Sequence, residues 1–404
     1  MPFENIVVAS YATAVQALPL REGEVAKSTV AIICDATREA LKLAGIDRRQ
    51  IGALFTHRPP MGEAFMLFGQ KLLAELKIAP SSTTAVMNHG AGMLSGLKYG
   101  ALLLQARLVD YVLCPSGDAG AAGLLDAVAQ NANHEADAHF EVPYDPITPA
   151  LYGQIGQRFV HERRLSEEDL ATVAVAMRER AIEHPEAEMR NRGRLTIDQV
   201  IASPMIASPS RLLHCAPWHR QSRAGAIILT REQNLPSGPK TYLRSVGESV
   251  THEHISGRMG LYGFGPWIDG PNLTTTGAYL AGRQALDFAG LSIGDVDVLE
   301  TVVPFAFLIP MILEDLGVCD RGASPEYLRQ GGLDSRDAPA FNTNGGMLSF
   351  GQSFLNCVMD QAIEALQQLD GTALGRKADE PKIAMVHSHG GVMAANTIAI
   401  FERA

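Results

Sequence analysis

The sequence predicts an α/β fold made of two related halves, in which short buried strands alternate with helices. Three segments of the first half return in the second half in the same order, which indicates an internal duplication. Strands that alternate with helices favour parallel sheets covered by helices. The chain has 404 residues, 46% of them hydrophobic, which is enough for a large core in one double domain or two.

The first repeated segment is a helix followed by a strand. An apolar stripe predicts a helix from about Ser28 to Ala44, and Gly45 is a typical helix stop. A short strand, Ile51–Thr56, comes next. The same order of residue types returns at Ala281–Gly290 and Val296–Thr301. The two halves therefore share this helix and this strand.

The second repeated segment is a strand, a glycine-containing turn and a helix, at Ala85–Gln105. A second copy is predicted at Phe341–Ala362, where Asn344–Ser349 matches Asn88–Ser95 and both contain Gly-Met-Leu-Ser. A strand that enters a helix through small residues brings a ligand close to unpaired backbone N–H groups and to the positive end of the helix dipole. This segment therefore predicts a binding site.

The third repeated segment is a short apolar strand with a polar, glycine-bearing tip, at Asp110–Gly117 and again at Ile383–Gly390. A long insertion follows the first copy and contains a helix from about Ser166 to Ile182, with Ser166 as its N-cap. The first half then closes with a buried strand, Ala224–Thr230.

These segments divide the chain into three parts. Residues 1–122 and 210–235 form the N-terminal half, residues 123–209 an inserted loop domain, and residues 236–404 the C-terminal half. An insertion beside a sheet edge usually shapes a pocket or a partner surface. The insertion also carries arginines that are either solvated surface or phosphate ligands: Arg190, Arg192 and Arg194.

Composition excludes several classes of function. The net charge is −10 and the pI about 5.7, which argues against nucleic acid or an anionic membrane surface as a partner. The five cysteines are scattered, so neither a disulfide framework nor a zinc site is indicated, and His252 and His254 lack a third metal ligand. Because these residues do not form a metal-ligand set, we expect no bound metal. No apolar run is long enough to span a membrane, so we expect a cytoplasmic protein.

The assembled motifs resemble the thiolase superfamily, closest to the sterol-carrier-protein-X type and its bacterial relatives. The resemblance rests on the duplicated halves, the insertion, and the motifs VLET, NTNGGMLSFG and HSHGG. It implies a duplicated five-layer α/β/α/β/α fold with an inserted loop domain and a tight homodimer formed by first-half sheets. It also implies an acyl-CoA thioester as ligand, so that coenzyme A would enter as part of the substrate and no cofactor would be bound.

Thiolases use a nucleophilic cysteine at the turn before the first-half central helix, where the helix N-terminus lowers the thiol pKa. The resemblance places Gly90 at this position, and the sequence has no cysteine between Ala36 and Leu113. A covalent acyl-cysteine intermediate at that position is therefore excluded. The family's Gly-His-Pro motif reads Gly351-Gln352-Ser353, so Gln352 replaces a histidine of an oxyanion hole. The polar motif after VLET is replaced by Val302–Ala306.

Replacement residues supply the candidate site. His387 matches the family's C-terminal cysteine and is either a general base or a structural histidine. His389 shares its strand face and either contributes to substrate binding or is structural, and the structural role is favoured. His89 beside the glycine turn either faces the same pocket or caps its helix. Asn344 either orients a water or holds its own turn by an Asx-type bond. Backbone N–H groups at Gly90 and Gly391 are candidate oxyanion donors.

Three functions follow from this pattern. The first is retro-aldol cleavage of a β-hydroxyacyl-CoA, which needs a base and hydrogen-bond donors but no covalent intermediate; relatives of this kind act with a small zinc-ribbon and OB-fold partner. The second is a non-catalytic acyl-CoA or lipid-binding subunit, favoured by the apolar segment Val302–Phe307. The third is an acetyl-CoA acetyltransferase-like acyltransferase with a non-standard mechanism.

Overall fold

The computed structural model describes residues 3–17, 19–20, 22–60, 66–119, 136–255 and 273–404. The predicted boundary between residues 122 and 123 lies outside these residues. The described strands are β1 Ile6–Gln16, β2 Ile51–His57, β3 Ser82–Val86, β4 Tyr111–Asp118, β5 Met205–Ala207, β6 Ser210–Arg211, β7 Ser222–Arg231, β8 Thr241–Val250, β9 Val298–Thr301, β10 Ala340–Phe341, β11 Ile383–Gly390 and β12 Ala395–Arg403.

The described α-helices are α1 Thr29–Ala44, α2 Phe68–Leu76, α3 Gly92–Gln105, α4 Thr148–Arg163, α5 Glu167–Glu183, α6 Ile197–Ile201, α7 Ala278–Ala289, α8 Leu308–Leu316, α9 Ser324–Arg329, α10 Gly346–Ser349 and α11 Cys357–Asp370. Single 3-10 turns precede α3 at His89–Ala91 and α11 at Phe354–Asn356.

Ten of the described strands form one mixed sheet in the order β10-β9-β11-β12-β8-β1-β7-β4-β2-β3. The two halves meet at its centre, where β1 and β8 pair through Val7 and Tyr242. The expectation of parallel sheets is correct only for the outer strands, because β7 and β12 run antiparallel to their neighbours. For β12 the reason is local, since the short connection after β11 holds no crossover helix and reverses the chain direction.

The two halves of the sheet form separate layers. Helices lie between these two layers and on the outer face of each, which gives five layers in all. Helix α3 packs against β2 and β4 of the first half and also against β8 and β12 of the second, and α11 packs against β9, β11 and β7. These two helices form the middle layer, and their buried side chains share one apolar core with both halves. Helices α1 and α7 cover the outer faces. The expected five-layer arrangement is therefore present.

Two of the three predicted repeat pairs are equivalent in the fold. Helices α1 and α7 both end at a glycine in the left-handed conformation, Gly45 and Gly290, and each is followed by an equivalent strand, β2 or β9. Strands β4 and β11 likewise occupy the same place in their halves, each beside β2 or β9. In the insertion, Ser166 caps α5 in a capping box with Asp169, as the sequence predicts.

The prediction that the two Gly-Met-Leu-Ser segments are equivalent is wrong. The first copy begins the central helix α3, whereas the second forms the four-residue helix α10 and the central helix of its half begins later, at Cys357. Gly351 lies at φ 116°, and the next residue, Gln352, leaves helical geometry to hydrogen-bond through its backbone with Pro217 and His219. The residues that match the turn before α3 are therefore Phe354–Asn356.

No helix among the residues that the structure describes is long and apolar enough to cross a membrane.

Candidate functional site

A cavity of about 730 Å³ lies where the turn before α3, the tip of β11, the segment between α10 and α11, and the insertion meet. Its walls are mostly apolar and aromatic, with Trp218, Phe305 and Phe354 among them. The Trp218 and Phe354 rings stack with centroids 4.3 Å apart. A cavity of this volume and character is typical of a small-molecule or cofactor site. The sequence-predicted residues that line it are His89, Gly90, Gln352, His389 and Gly391.

Two backbones touch at one end of the cavity. A Cβ atom at Gly90 would lie 2.3 Å from the carbonyl oxygen of His389, and one at Gly390 would lie 2.1 Å from that of Asn88. Ser388 Oγ donates to the Gly90 carbonyl at 2.8 Å. His89 sits in the turn at φ 45°, in the left-handed region that non-glycine residues seldom adopt. Glycine at both contacts therefore lets the turn and the strand tip close against each other.

His389 lines the cavity and is hydrogen-bonded to a tyrosine of the insertion. Its Nε2 lies 2.8 Å from the hydroxyl oxygen of Tyr152, and that hydroxyl donates to the Gly391 carbonyl at 2.6 Å. The two rings meet edge to face with centroids 5.8 Å apart. Burial, helped by the neighbouring His387, lowers the pKa of His389 to about 3, so its imidazole is neutral at physiological pH.

His387 is buried behind His389 and does not line the cavity. The two rings stack with centroids 6.1 Å apart, as expected for residues that share a strand face. Its Nε2 lies 3.1 Å from Asn396 Oδ1, and the amide nitrogen of Asn396 donates to the Met393 carbonyl. Burial lowers the pKa of His387 to about 4. Of the two histidines, the structure therefore brings His389 to the cavity.

The second glycine segment contributes one side chain to the cavity. Gln352 lines it and is fixed by its backbone N–H, which donates to the Pro217 carbonyl at 2.7 Å. Asn344 does not line the cavity. Its Oδ1 accepts from the Gly346 N–H at 2.8 Å, which is the turn-holding bond that is common for asparagine.

Two cysteines line the cavity, and both carry a protonated thiol at neutral pH. Cys357 is the first residue of α11, but it donates to the Phe354 carbonyl at 2.8 Å and burial raises its pKa to about 12. Cys215 donates to the Arg211 carbonyl, and burial raises its pKa to about 11. Cys114, within β4, is fully buried away from the cavity. The described cavity therefore offers no thiolate nucleophile.

Sequence reasoning missed Tyr152 and the cavity arginines Arg58 and Arg178. Tyr152 belongs to α4 in the insertion, and the available signal was only a buried helical stripe that also holds Leu151, Ile155 and Phe159. Among the residues that the structure describes, no group of three or more His, Cys, Asp or Glu side chains is arranged to hold a metal ion.

Comparisons with known proteins agree with this architecture. A model of the thiolase C-terminal domain-like family matches residues 267–403. The acetyl-CoA acetyltransferase of Methanothermobacter thermautotrophicus is 26% identical over 92% of this chain and 94% of its own length. The steroid side-chain-cleaving aldolase of Thermomonospora curvata is 23% identical over 90% of this chain and 91% of its own length.

Solved structures show the same fold. The Ltp2-ChsH2(DUF35) aldolase superposes with a TM-score of 0.79 at 20% identity, over 98% of this chain and 97% of that one. The resemblance to thiolases that the sequence motifs indicate therefore agrees with these sequence relatives and with the fold of the solved structure. Residues 267–403 thus match the thiolase C-terminal domain-like family, and the chain as a whole is similar in sequence to an acetyl-CoA acetyltransferase and to a steroid side-chain-cleaving aldolase.

Proposed function

We propose that this chain cleaves a carbon–carbon bond of a β-hydroxyacyl-CoA thioester by a retro-aldol reaction, without a covalent cysteine intermediate. The observation that carries the proposal is the composition of the cavity wall. A neutral histidine, His389, lies beside a closed glycine turn, while both cavity thiols are protonated. Acyl transfer through cysteine needs a thiolate, whereas aldol cleavage needs none.

The reaction makes two demands on the protein. The proton of the β-hydroxyl leaves to a base, the Cα–Cβ bond breaks, and its electron pair moves to the thioester as an enolate. Protonation of the enolate carbon then yields the shortened acyl-CoA, and the other product is a ketone or aldehyde. We assign proton transfer to His389 and its hydrogen-bond partner. The side-chain amide of Gln352 and the N–H groups near Gly90 would donate to the enolate oxygen.

Charge at the cavity supports a coenzyme A ester as the substrate. Arg58 and Arg178 line the cavity. Arg190 and Arg192 are exposed between the cavity-lining residues Met189 and Leu195. Guanidinium groups pair well with phosphates, so these side chains would meet the nucleotide part of the ester.

The test is incubation of the purified chain with a panel of β-hydroxyacyl-CoA and β-ketoacyl-CoA esters, with and without free CoA, followed by mass spectrometry of the products. We expect shortened acyl-CoA from the β-hydroxy esters without free CoA. Cleavage of β-keto esters only when free CoA is added would instead indicate thiolysis and would contradict the proposal. Esters of 3′-dephospho-CoA serve as the control for phosphate recognition, and we expect them to stabilise the protein less against heat.

A non-catalytic acyl-CoA-binding subunit is the alternative that one feature favours. Val302, Pro304 and Phe305 give the cavity an apolar wall where the family resemblance implies polar groups. Esters that raise the melting temperature while none is cleaved would support this alternative. A small zinc-ribbon and OB-fold protein remains a proposed partner, and the aldolase with the same fold, Ltp2-ChsH2(DUF35), is named for two components.

We also propose a homodimer that pairs through β3. This strand is at the end of the sheet and pairs on one side only, with β2, among the described residues. Such an edge can accept another strand. Met87, just beyond it, is 65% exposed. In analytical ultracentrifugation we expect a dimer, weakened by the double substitution Ala85→Lys and Met87→Lys but unaffected by Leu374→Lys, at an exposed leucine of the other half. A monomer at every concentration would contradict this pairing.

A further inference from the structure

We propose that Tyr152, which the insertion supplies, is a catalytic residue whose hydroxyl oxygen exchanges the proton with the β-hydroxyl of the substrate, and that His389 acts through it. This inference rests on the retro-aldol function proposed above. It assigns a chemical role to the insertion, which otherwise only completes the cavity wall.

The role of Tyr152 follows from which atoms donate hydrogen bonds and which accept them between Tyr152, His389 and Gly391. Tyr152 Oη has one proton, and a carbonyl can only accept, so at 2.6 Å the hydroxyl donates to the Gly391 carbonyl. The contact of 2.8 Å with His389 Nε2 then requires that the histidine donate its Nε2–H to the tyrosine oxygen. This nitrogen cannot also accept a proton from a substrate. Of Tyr152 and His389, the phenolic oxygen of Tyr152 is therefore the atom that is arranged to exchange a proton with the substrate.

The tyrosine is held rigidly at the cavity. It is 5% exposed, yet it is one of the lining residues. Its ring packs against Phe305 with centroids 5.1 Å apart and meets His389 edge to face. The next residue, Gly153, lies so close to the chain of the β5–β6 hairpin that a Cβ atom there would be 2.7 Å from the Ser208 carbonyl oxygen. Such fixing keeps the hydroxyl in one geometry, which favours proton transfer.

Tyr152 first loses its proton to solvent, and the phenolate is stabilised by the Nε2–H of His389. The phenolate oxygen then takes the proton of the β-hydroxyl, the carbonyl of the leaving product forms, and the electron pair of the Cα–Cβ bond moves to the thioester enolate. A proton from solvent converts the enolate carbon to the shortened acyl-CoA. Tyr152 is then a phenol again, and the proton that it gave to solvent is balanced by the one that the enolate took up.

The pH dependence separates the tyrosine from the histidines. His389, with a pKa of about 3, and His387, with a pKa of about 4, are deprotonated throughout the range from about pH 5 to 8, so a rate limited by either base would be flat there. A phenol has an ordinary pKa of about 10, so a rate limited by phenolate rises about tenfold per pH unit. The cavity thiols of Cys215 and Cys357 stay protonated in this range, and Arg58 and Arg178 stay charged.

The experiment measures kcat, KM and the pH profile for cleavage of a β-hydroxyacyl-CoA ester by the wild type and by Tyr152→Phe. We expect the variant to lose kcat by a factor of about 10² to 10⁴, with little change in KM and with the thermal stabilisation by the ester retained. We expect the wild-type rate to rise with pH. Because His89 also lines the cavity, the rise is measured again in His89→Gln, where we expect the same slope.

Tyr144→Phe is the matched control, since Tyr144 precedes the same helix and is 83% exposed. We expect it to behave as the wild type. A Tyr152→Phe variant with unchanged kcat, a flat wild-type profile, or a slope that disappears in His89→Gln would overturn the role of Tyr152 and leave the proposed function standing. A wild-type protein that cleaves no ester would overturn both.

Discussion

Replacing Arg223 with methionine is expected to lower the free energy of unfolding by about 3–5 kcal/mol, because it leaves the buried Asp360 carboxylate without its cation. Arg223 is 2% exposed. Its Nε lies 3.1 Å from Asp360 and its Nη2 lies 2.9 Å from Glu186. The guanidinium also covers the ring of Phe350 at 4.8 Å. One side chain thus joins β7, the insertion and α11.

The same substitution is expected to disturb the cavity. Asp360 also accepts hydrogen bonds from Ser353 Oγ and from Asn356 Nδ2, and these residues flank the segment that lines the cavity at Phe354 and Leu355. Without Arg223, water would enter beside Asp360 and disturb this segment, so we expect weaker thermal stabilisation by CoA esters. Urea unfolding, monitored by tryptophan fluorescence, measures the stability.

Arg38→Met is the matched control for Arg223→Met. Arg38 also pairs with a carboxylate, that of Asp35, but the two side chains are 56% and 36% exposed. An exposed ion pair contributes about 0–1 kcal/mol, so the control should unfold almost as the wild type does. Equal destabilisation by the two variants would contradict the interpretation that the buried ion pairing of Arg223 stabilises the fold.

Replacing Gly390 with alanine is expected to separate the two backbones that close the end of the cavity. The new Cβ would lie 2.1 Å from the Asn88 carbonyl oxygen and 2.9 Å from His89 Cβ, so the turn before α3 has to move. Overpacking of this kind costs about 1–3 kcal/mol. A displacement of about 1 Å in a catalytic group can cost on the order of a hundredfold in rate. We therefore expect a small loss of stability and a large loss of cleavage.

Gly294→Ala tests whether the effect is specific to the site. A Cβ atom at Gly294 would have only Ser292 Oγ as a neighbour, at an ordinary 3.7 Å. We expect wild-type stability and cleavage rate from this control. If Gly390→Ala also retained both, the contact between the turn and the strand tip would not be needed for the arrangement of the site.

Local signals in the sequence were sufficient where a structure depends on neighbouring residues. Ser28 caps α1 through the N–H of Ala31, and Gly45 ends that helix in the left-handed conformation. Ser166 and Asp169 form the capping box of α5. The apolar strands β2, β4, β7 and β11 were likewise recognisable, because each is a short run of buried residues. The duplicated fold could therefore be predicted.

The second Gly-Met-Leu-Ser shows where local similarity misleads. Four identical residues begin a central helix in one half but a four-residue helix in the other. The difference arises from Pro217 and His219, which hydrogen-bond with the backbone of Gln352 across more than a hundred residues of chain. No pattern within the repeat contains that information, so the matching turn could not be located from the sequence.

By itself, the sequence determined the duplicated α/β fold, the missing nucleophile before α3, and the strand tip that carries His387 and His389. The tertiary structure decided which histidine reaches the cavity, because that depends on what packs against the end of β11. It also supplied Tyr152, which lies 237 positions from His389 along the chain and is brought to its ring by the insertion. Local residue patterns fix helices and strands, whereas a site built between them depends on packing that only the folded chain provides.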